Sequence, residues 1–206
     1  YALRIPRIPH GYRLVAIVRE PCGVEGSWGS LPDCLHPDTF PLFCRLSLDP
    51  YRGAIGTEFG RTVPGIFTDE EKAHGFWPVT RGLFADFRKE YGYELKPRLY
   101  QLYGEPLSRE YVETRLALRN WIATRFLDVF MRPYRRWCDA NGLLLVGHVS
   151  PEDDPVAEAG CLGSVMPLMK TMHCPGTDLI APFVGDRSTP TVNLGSLRAG
   201  SVRSQT

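Results

Sequence analysis

The chain has almost no net charge: 24 lysines and arginines stand against 23 aspartates and glutamates, leaving +1 at neutral pH. Its arginines are scattered rather than gathered into a run, so the balance gives no sign of a nucleic-acid or membrane-surface partner. No apolar stretch approaches the roughly 18 residues that a membrane span needs. C-x-x-C pairs are missing too. Cys22, Cys34, Cys44, Cys138, Cys161 and Cys174 are widely spaced, and a chain of this length does not need staples, so free thiols are expected. His173 and Cys174 taken with His148 lack the spacing of a tetrahedral metal site. Neither G-x-G-x-x-G nor G-x-x-x-x-G-K-[ST] occurs, which argues against a nucleotide-binding sheet. The G-x-S-x-G elbow and the H-E-x-x-H zinc helix are also missing.

What is present suits an ordinary globular protein. The 206 residues are 43% hydrophobic, enough for one sizeable core. Tyr1 at the start and SLRAGSVRSQT at the end, which reads like the opening of a helix, suggest an internal piece of a longer protein. The compartment is therefore not readable.

Short apolar runs alternate with amphipathic segments. Leu14 to Val18 (LVAIV), Thr62 to Thr68, Leu143 to Val146 (LLLV) and Asp178 to Val184 (DLIAPFV) are suited to buried strands. A Gly-rich loop, CGVEGSWGSLPDC, follows the first. Between the runs the spacing predicts helices from His36, broken near Pro50, and over Phe76 to Tyr91 with Gly92 as C-cap. It also predicts a turn of helix around Leu99 to Tyr103, a long helix over Ser108 to Ala140 kinked at Pro133, and a helix near Gly163 to Met172. Such a β/α pattern implies parallel strands with function at their carboxyl ends. An open doubly wound sheet and a (β/α)8 TIM barrel both fit. Without a phosphate loop the barrel is favoured, and four strands in 206 residues would make about its middle half. The chain is thus expected to be one partial catalytic domain spanning residues 1–206.

Carboxylates dominate the positions after these strands. Glu20 and a loop with Glu25 and Trp28 follow the first. Asp69, Glu70 and Glu71 follow the second, His148 and Glu152 the third, and Asp186 with Arg187 the fourth. Paired carboxylates with a histidine and aromatic faces suit glycoside cleavage: one acid protonates the leaving oxygen, another activates water or attacks, and rings hold the sugar. Adjacent like charges disfavour ionisation, so one of the three acids could remain protonated. Alternation along an extended strand end would turn Glu70 one way and both neighbours the other. The plainer readings are a solvated, helix-starting acidic turn, a hydrogen-bonded structural histidine, and a surface charge run at Glu152 to Asp154. Phe76, Trp77, Trp121 and Trp137 read as mostly core by periodicity, and of the tryptophans Trp28, with Trp77 as an alternative to core, sits where a sugar could stack.

The run EFGRTVPGIFTDEE resembles the "FG-x-T-(V/I)-x-G-(I/F)-F-x-DEP" segment of large bacterial glycoside hydrolases with TIM-barrel catalytic domains, most nearly glycoside hydrolase family 106, the α-L-rhamnosidases. Further segments are similar in the same order. FADFRKEYGYELKPRLYQLYG resembles "F-x-x-x-x-GYDL-x-P-x-L", and WCDANGLLLVGHVSPED resembles "W-C-x-x-x-G-L-x-x-x-GH-x-x-x-E". MHCPGTDLI is similar to "x-x-x-PG-x-D-x-L", and NLGSLRAGSVRSQT to "K-x-x-SS-x-x-x-Q". The likeness runs from about Asp33 onward.

The resemblance implies a glycosidase acting on a terminal α-L-rhamnoside or related glycan, with inversion. Glu70 would be the general acid with Asp69 as its tuning neighbour, and His148 and Glu152 would contact or orient the sugar. Asp178 would be structural. Glu71 stands where the family has Pro, which leaves the choice between Glu70 and Glu71 open. The resemblance also implies the rest of a barrel, with its second carboxylate, outside this chain, and a secreted or periplasmic location. Calcium is possible in the family, but no ligand set maps here, and no cofactor is otherwise expected. Two rivals are a non-catalytic carbohydrate-binding barrel and a metal-dependent α/β hydrolase using Asp69, Glu70 and His148.

Overall fold

A computed structural model describes residues 7–11, 14–19, 31–151, 158–160 and 162–178. The Gly-rich loop up to residue 30, with Trp28, the segment with Glu152, and the expected fourth strand beyond Asp178 lie outside them. Three short parallel strands form one sheet in the order β1–β2–β3: β1 is Gly65–Thr68, β2 is Leu144–Gly147 and β3 is Cys174–Pro175. The chain between β1 and β2 is helical for most of its length, as a parallel connection requires.

The (β/α)8 barrel is not the fold. Closure takes eight strands, whereas the described residues hold an open sheet of three. The apolar run expected to be the first strand stays out of it. Leu14 and Val18 are 52% and 71% exposed, and Leu14 to Val18 has no strand pairing.

Before β1 come α1 (Thr39–Phe43), a π turn over Cys44–Leu48, and α2 (Asp49–Ile55). After β1 come α3 (Leu83–Tyr91), a 3-10 helix over Lys96–Leu102, α4 (Arg109–Phe126), a second π turn over Leu127–Met131, and α5 (Arg132–Ala140). A short α6 (Met166–Met169) precedes β3. Both π turns end two residues before a proline, Pro50 and Pro133. Proline supplies no N–H and crowds the carbonyl four residues back. The wider turn absorbs that conflict, so helix continues through Pro50, where a break was expected, and a π turn precedes Pro133.

Helix α3 is shorter than its periodicity predicted. Pro78 and the left-handed Gly82, its N-cap, delay the start to Leu83, while Gly92 closes it as expected, its N–H bonding to the Arg88 carbonyl. Phe76, read as core, is 66% exposed. The helices pack on one side of the sheet through Phe87, Phe126, Met131 and Leu145, all essentially inaccessible. An aromatic cluster of Phe40, Phe43, Phe130 and Tyr134 joins α1 to α5, with Phe40 centred 5.6 Å from both Phe130 and Tyr134. Burying such rings is worth about 1.5–3 kcal/mol each, which holds this layer together. No described helix is long and apolar enough to cross a membrane.

The two-residue β3 is fixed by a side chain. The His173 N–H donates to the Leu145 carbonyl at 2.9 Å, and the Leu145 N–H donates to His173 Nδ1 at 2.8 Å. Because Nδ1 accepts, Nε2 carries the proton and donates to Asp139 Oδ1 at 2.9 Å. Arg135 in turn donates to Asp139 and to the Thr171 carbonyl. One histidine thereby ties β2, β3 and α5 together.

Candidate functional site

Register decides what meets at the sheet's carboxyl edge. In the β1–β2 ladder Phe67 is level with Val146 and Thr68 with Gly147. The next residues, Asp69 and His148, therefore emerge side by side. The His148 N–H donates to the Thr68 carbonyl at 3.3 Å. Only glycine can precede it. A Cβ on Gly147 would fall 2.0 Å from the Thr68 oxygen, at φ +151°.

The side chains then meet, with His148 Nε2 2.8 Å from Asp69 Oδ1. An ionised carboxylate only accepts, so Nε2 is the proton-bearing nitrogen. The pair is lopsided in exposure: the His148 side chain is 8% accessible and that of Asp69 74%. The histidine is held within the protein, and the carboxylate presents itself outward.

Glu70 has φ +56° and is the one non-glycine residue with positive φ among those described. The left-handed region costs a glutamate roughly 1–2 kcal/mol. Strain of this kind gathers at functional sites, where the surrounding structure holds it. It also ends the extended run, so the simple alternation expected for the acid trio does not hold. Asp69 goes to the histidine. Glu71 is half-buried. Burial raises the Glu71 pKa above its ordinary value, and the Asp69 charge adds to the rise. The Thr68 hydroxyl opposes it without making a well-formed hydrogen bond. Cys34 is pushed up to about 12, by burial first and then by the charges of Glu71 and Asp33. Tyr134 is raised by burial, with Cys138, Glu71 and Cys44 adding to it.

The other candidate residues go elsewhere. Trp77 is half-buried, with the Arg119 guanidinium 3.8 Å from its ring centre and Phe76 set edge-on at 5.4 Å. One stacking face is thus occupied by a cation, and Trp77 borders a cavity of about 720 Å³ walled largely by Leu35, Leu83, Leu95 and Leu118. Trp121 is buried, and Trp137 packs edge-on against Phe59. Trp28 and Glu152 lie outside the described residues. Cys34, Cys44, Cys138 and Cys174 are free thiols. Among the described residues no group of three or more His, Cys, Asp or Glu is placed to hold a metal ion.

No protein-family model and no curated protein matches the chain. The site stands on its own geometry. That geometry adds one residue that sequence reasoning passed over. Phe67 lies two positions before Asp69, is 64% exposed, and has its ring centred 6.0 Å from that of His148. Its place in an apolar run made it look like core. The signal that could have found it is alternation, which puts Phe67 on the same side of the strand as Asp69.

Proposed function

We propose that the protein is a glycoside hydrolase working at the carboxyl edge of β1 and β2, with Glu70 as general acid. The observation that carries this reading is the Asp69–His148 contact of 2.8 Å at the ends of adjacent parallel strands. In parallel α/β sheets ligands bind outside the carboxyl ends of the strands, and this edge gathers an outward carboxylate, a fixed imidazole and a strained glutamate. Glu70 protonates the departing glycosidic oxygen. Asp69, oriented by His148, accepts a hydrogen bond from a sugar hydroxyl through its exposed carboxylate. Glu71, whose charge bears on Cys34 and Tyr134, has a structural place.

The motif resemblance supports a terminal α-L-rhamnoside or related glycan as substrate, with inversion. An inverting enzyme would carry its second carboxyl roughly 6.5–9.5 Å from the acid, with water between. Hydrolysis of 4-nitrophenyl α-L-rhamnopyranoside tests the assignment. Glu70→Gln should lose turnover by roughly 10²–10⁴-fold, the usual worth of general acid catalysis, while the sugar still binds. A Glu70→Gln variant within a few-fold of wild type would remove Glu70 from the mechanism. Sugar binding without any turnover in the wild type would favour a carbohydrate-binding role.

A further inference from the structure

We infer that Phe67 is the platform on which the substrate's pyranose ring stacks; the inference rests on the reading of this edge as a carbohydrate site. Parallel strands are ordinarily covered on both faces. Among the described residues the two faces of this sheet differ in cover. Thr68 and Leu145, on the helical side, are 2% and 0% exposed. On the other side Phe67 is 64% and Leu144 41% exposed, with Val146 half-buried between them. Gly65, level with Leu144 in the ladder, adds no side chain to this surface. The result is a shallow apolar shelf with one flat ring at its outer end.

The shelf does not end in open surface. Side chains at i and i+2 of a strand share a face, so Phe67 leads to Asp69 on β1 as Val146 leads to His148 on β2. The ring contact between Phe67 and His148, 6.0 Å between centres at 47°, agrees with that placement. An exposed aromatic face thus borders an outward carboxylate that is itself held by an imidazole. A pyranose has the matching pattern: one face of C–H groups for the ring, and a rim of hydroxyls that donate to a carboxylate. A phosphorylated or otherwise anionic ligand would bring its charge against Asp69 and the neighbouring Glu70, so stacked nucleotides fit this edge poorly. A 6-deoxy sugar, with a methyl group in place of a hydroxymethyl, could extend its apolar contact toward Val146.

The test pairs kinetics with binding. The KM and kcat for 4-nitrophenyl α-L-rhamnopyranoside are measured for wild type, Phe67→Ala, Phe67→Leu and Phe67→Trp. Saturation-transfer NMR then follows methyl α-L-rhamnopyranoside binding to the same proteins and to Glu70→Gln. Phe67→Ala and Phe67→Leu should raise KM roughly two- to tenfold, the range an aromatic contact supplies, with kcat changing far less. Phe67→Trp, which keeps a flat aromatic face, should hold KM near the wild-type value, which a merely structural role would not do. Unchanged KM and unchanged sugar binding in Phe67→Ala and Phe67→Leu would overturn the inference and leave Glu70 as general acid untouched. If Phe67→Ala fails to fold, Phe67→Leu, which keeps the apolar bulk and loses the flat face, decides by the same criterion. Sugar binding that depends on Phe67 in a protein without glycosidase turnover would uphold the platform and overturn the hydrolytic reading. No binding of the sugar to wild type would overturn both.

Discussion

Replacing Gly147 by alanine should damage both the fold and the site, and the structure says by how much. The added Cβ would lie 2.0 Å from the Thr68 carbonyl oxygen and 2.8 Å from Thr68 Cγ2. Real contacts of this kind are not made below about 3 Å, so the two strand ends must part by about 1 Å. Overpacking of this sort costs about 1–3 kcal/mol. Parting the strands also lengthens the His148 N–H to Thr68 carbonyl bond, already 3.3 Å, a further ~0.5–1.5 kcal/mol. The expected loss is therefore about 1.5–4.5 kcal/mol, which lowers Tm by roughly 3–18 °C for a chain of this size. Gly53 is the control. It lies within α2 with no atom within 4 Å of where an alanine Cβ would stand and no positive φ, so Gly53→Ala should stabilise by about 0.5–1 kcal/mol. Urea denaturation followed by circular dichroism reads both. A Gly147→Ala protein within about 0.5 kcal/mol of wild type would refute the close approach of β1 and β2 on which the site depends.

Glu71 makes stability depend on pH in a set direction. Its folded pKa is raised above the ordinary 4.5, so its contribution is fully present below that value and is lost as pH rises through the raised one. Glu71→Gln should flatten the stability profile over that window and be the more stable protein above it; parallel wild-type and variant profiles would contradict this. His173→Ala removes the acceptor for the Leu145 N–H, a residue that is wholly buried, and should cost about 1–3 kcal/mol by denaturant midpoint. His173→Asn, whose side-chain oxygen can stand near the Nδ1 position, should recover part of it, and equal losses in both variants would count against the hydrogen bond.

Some of this was legible in the residues. The apolar runs ending in TDEE and GH held strands at Gly65–Thr68 and Leu144–Gly147, because short buried strands and the polar residues that follow them leave a local signature. That these two ends lie together follows from parallel pairing, a rule of topology rather than of local pattern. Leu14–Val18 has the same signature yet lies exposed, since apolar character cannot say whether a partner strand is in reach. Cys174–Pro175 is too short for any period, and His173 fixes it through a side-chain bond that no pattern encodes. Pro50 advertised a break and Pro133 a kink, but a π turn is invisible to a 3.6-residue period. The left-handed Glu70 has no marker, because a glutamate there is held by tertiary context against its own preference. Phe67 was masked by the assumption that a parallel strand is covered on both faces, when its own side chain is 64% exposed.

The Asp69–His148 pair is the heart of the site, and imidazole nitrogen NMR examines it without assuming any substrate. In a protein labelled with ¹⁵N-histidine, His148 should show a proton on Nε2, and Asp69→Ala should displace or broaden that signal while leaving the His173 resonances in place. A His148 spectrum indifferent to Asp69→Ala would mean that the carboxylate and the imidazole do not share one site, and the proposed chemistry would go with it.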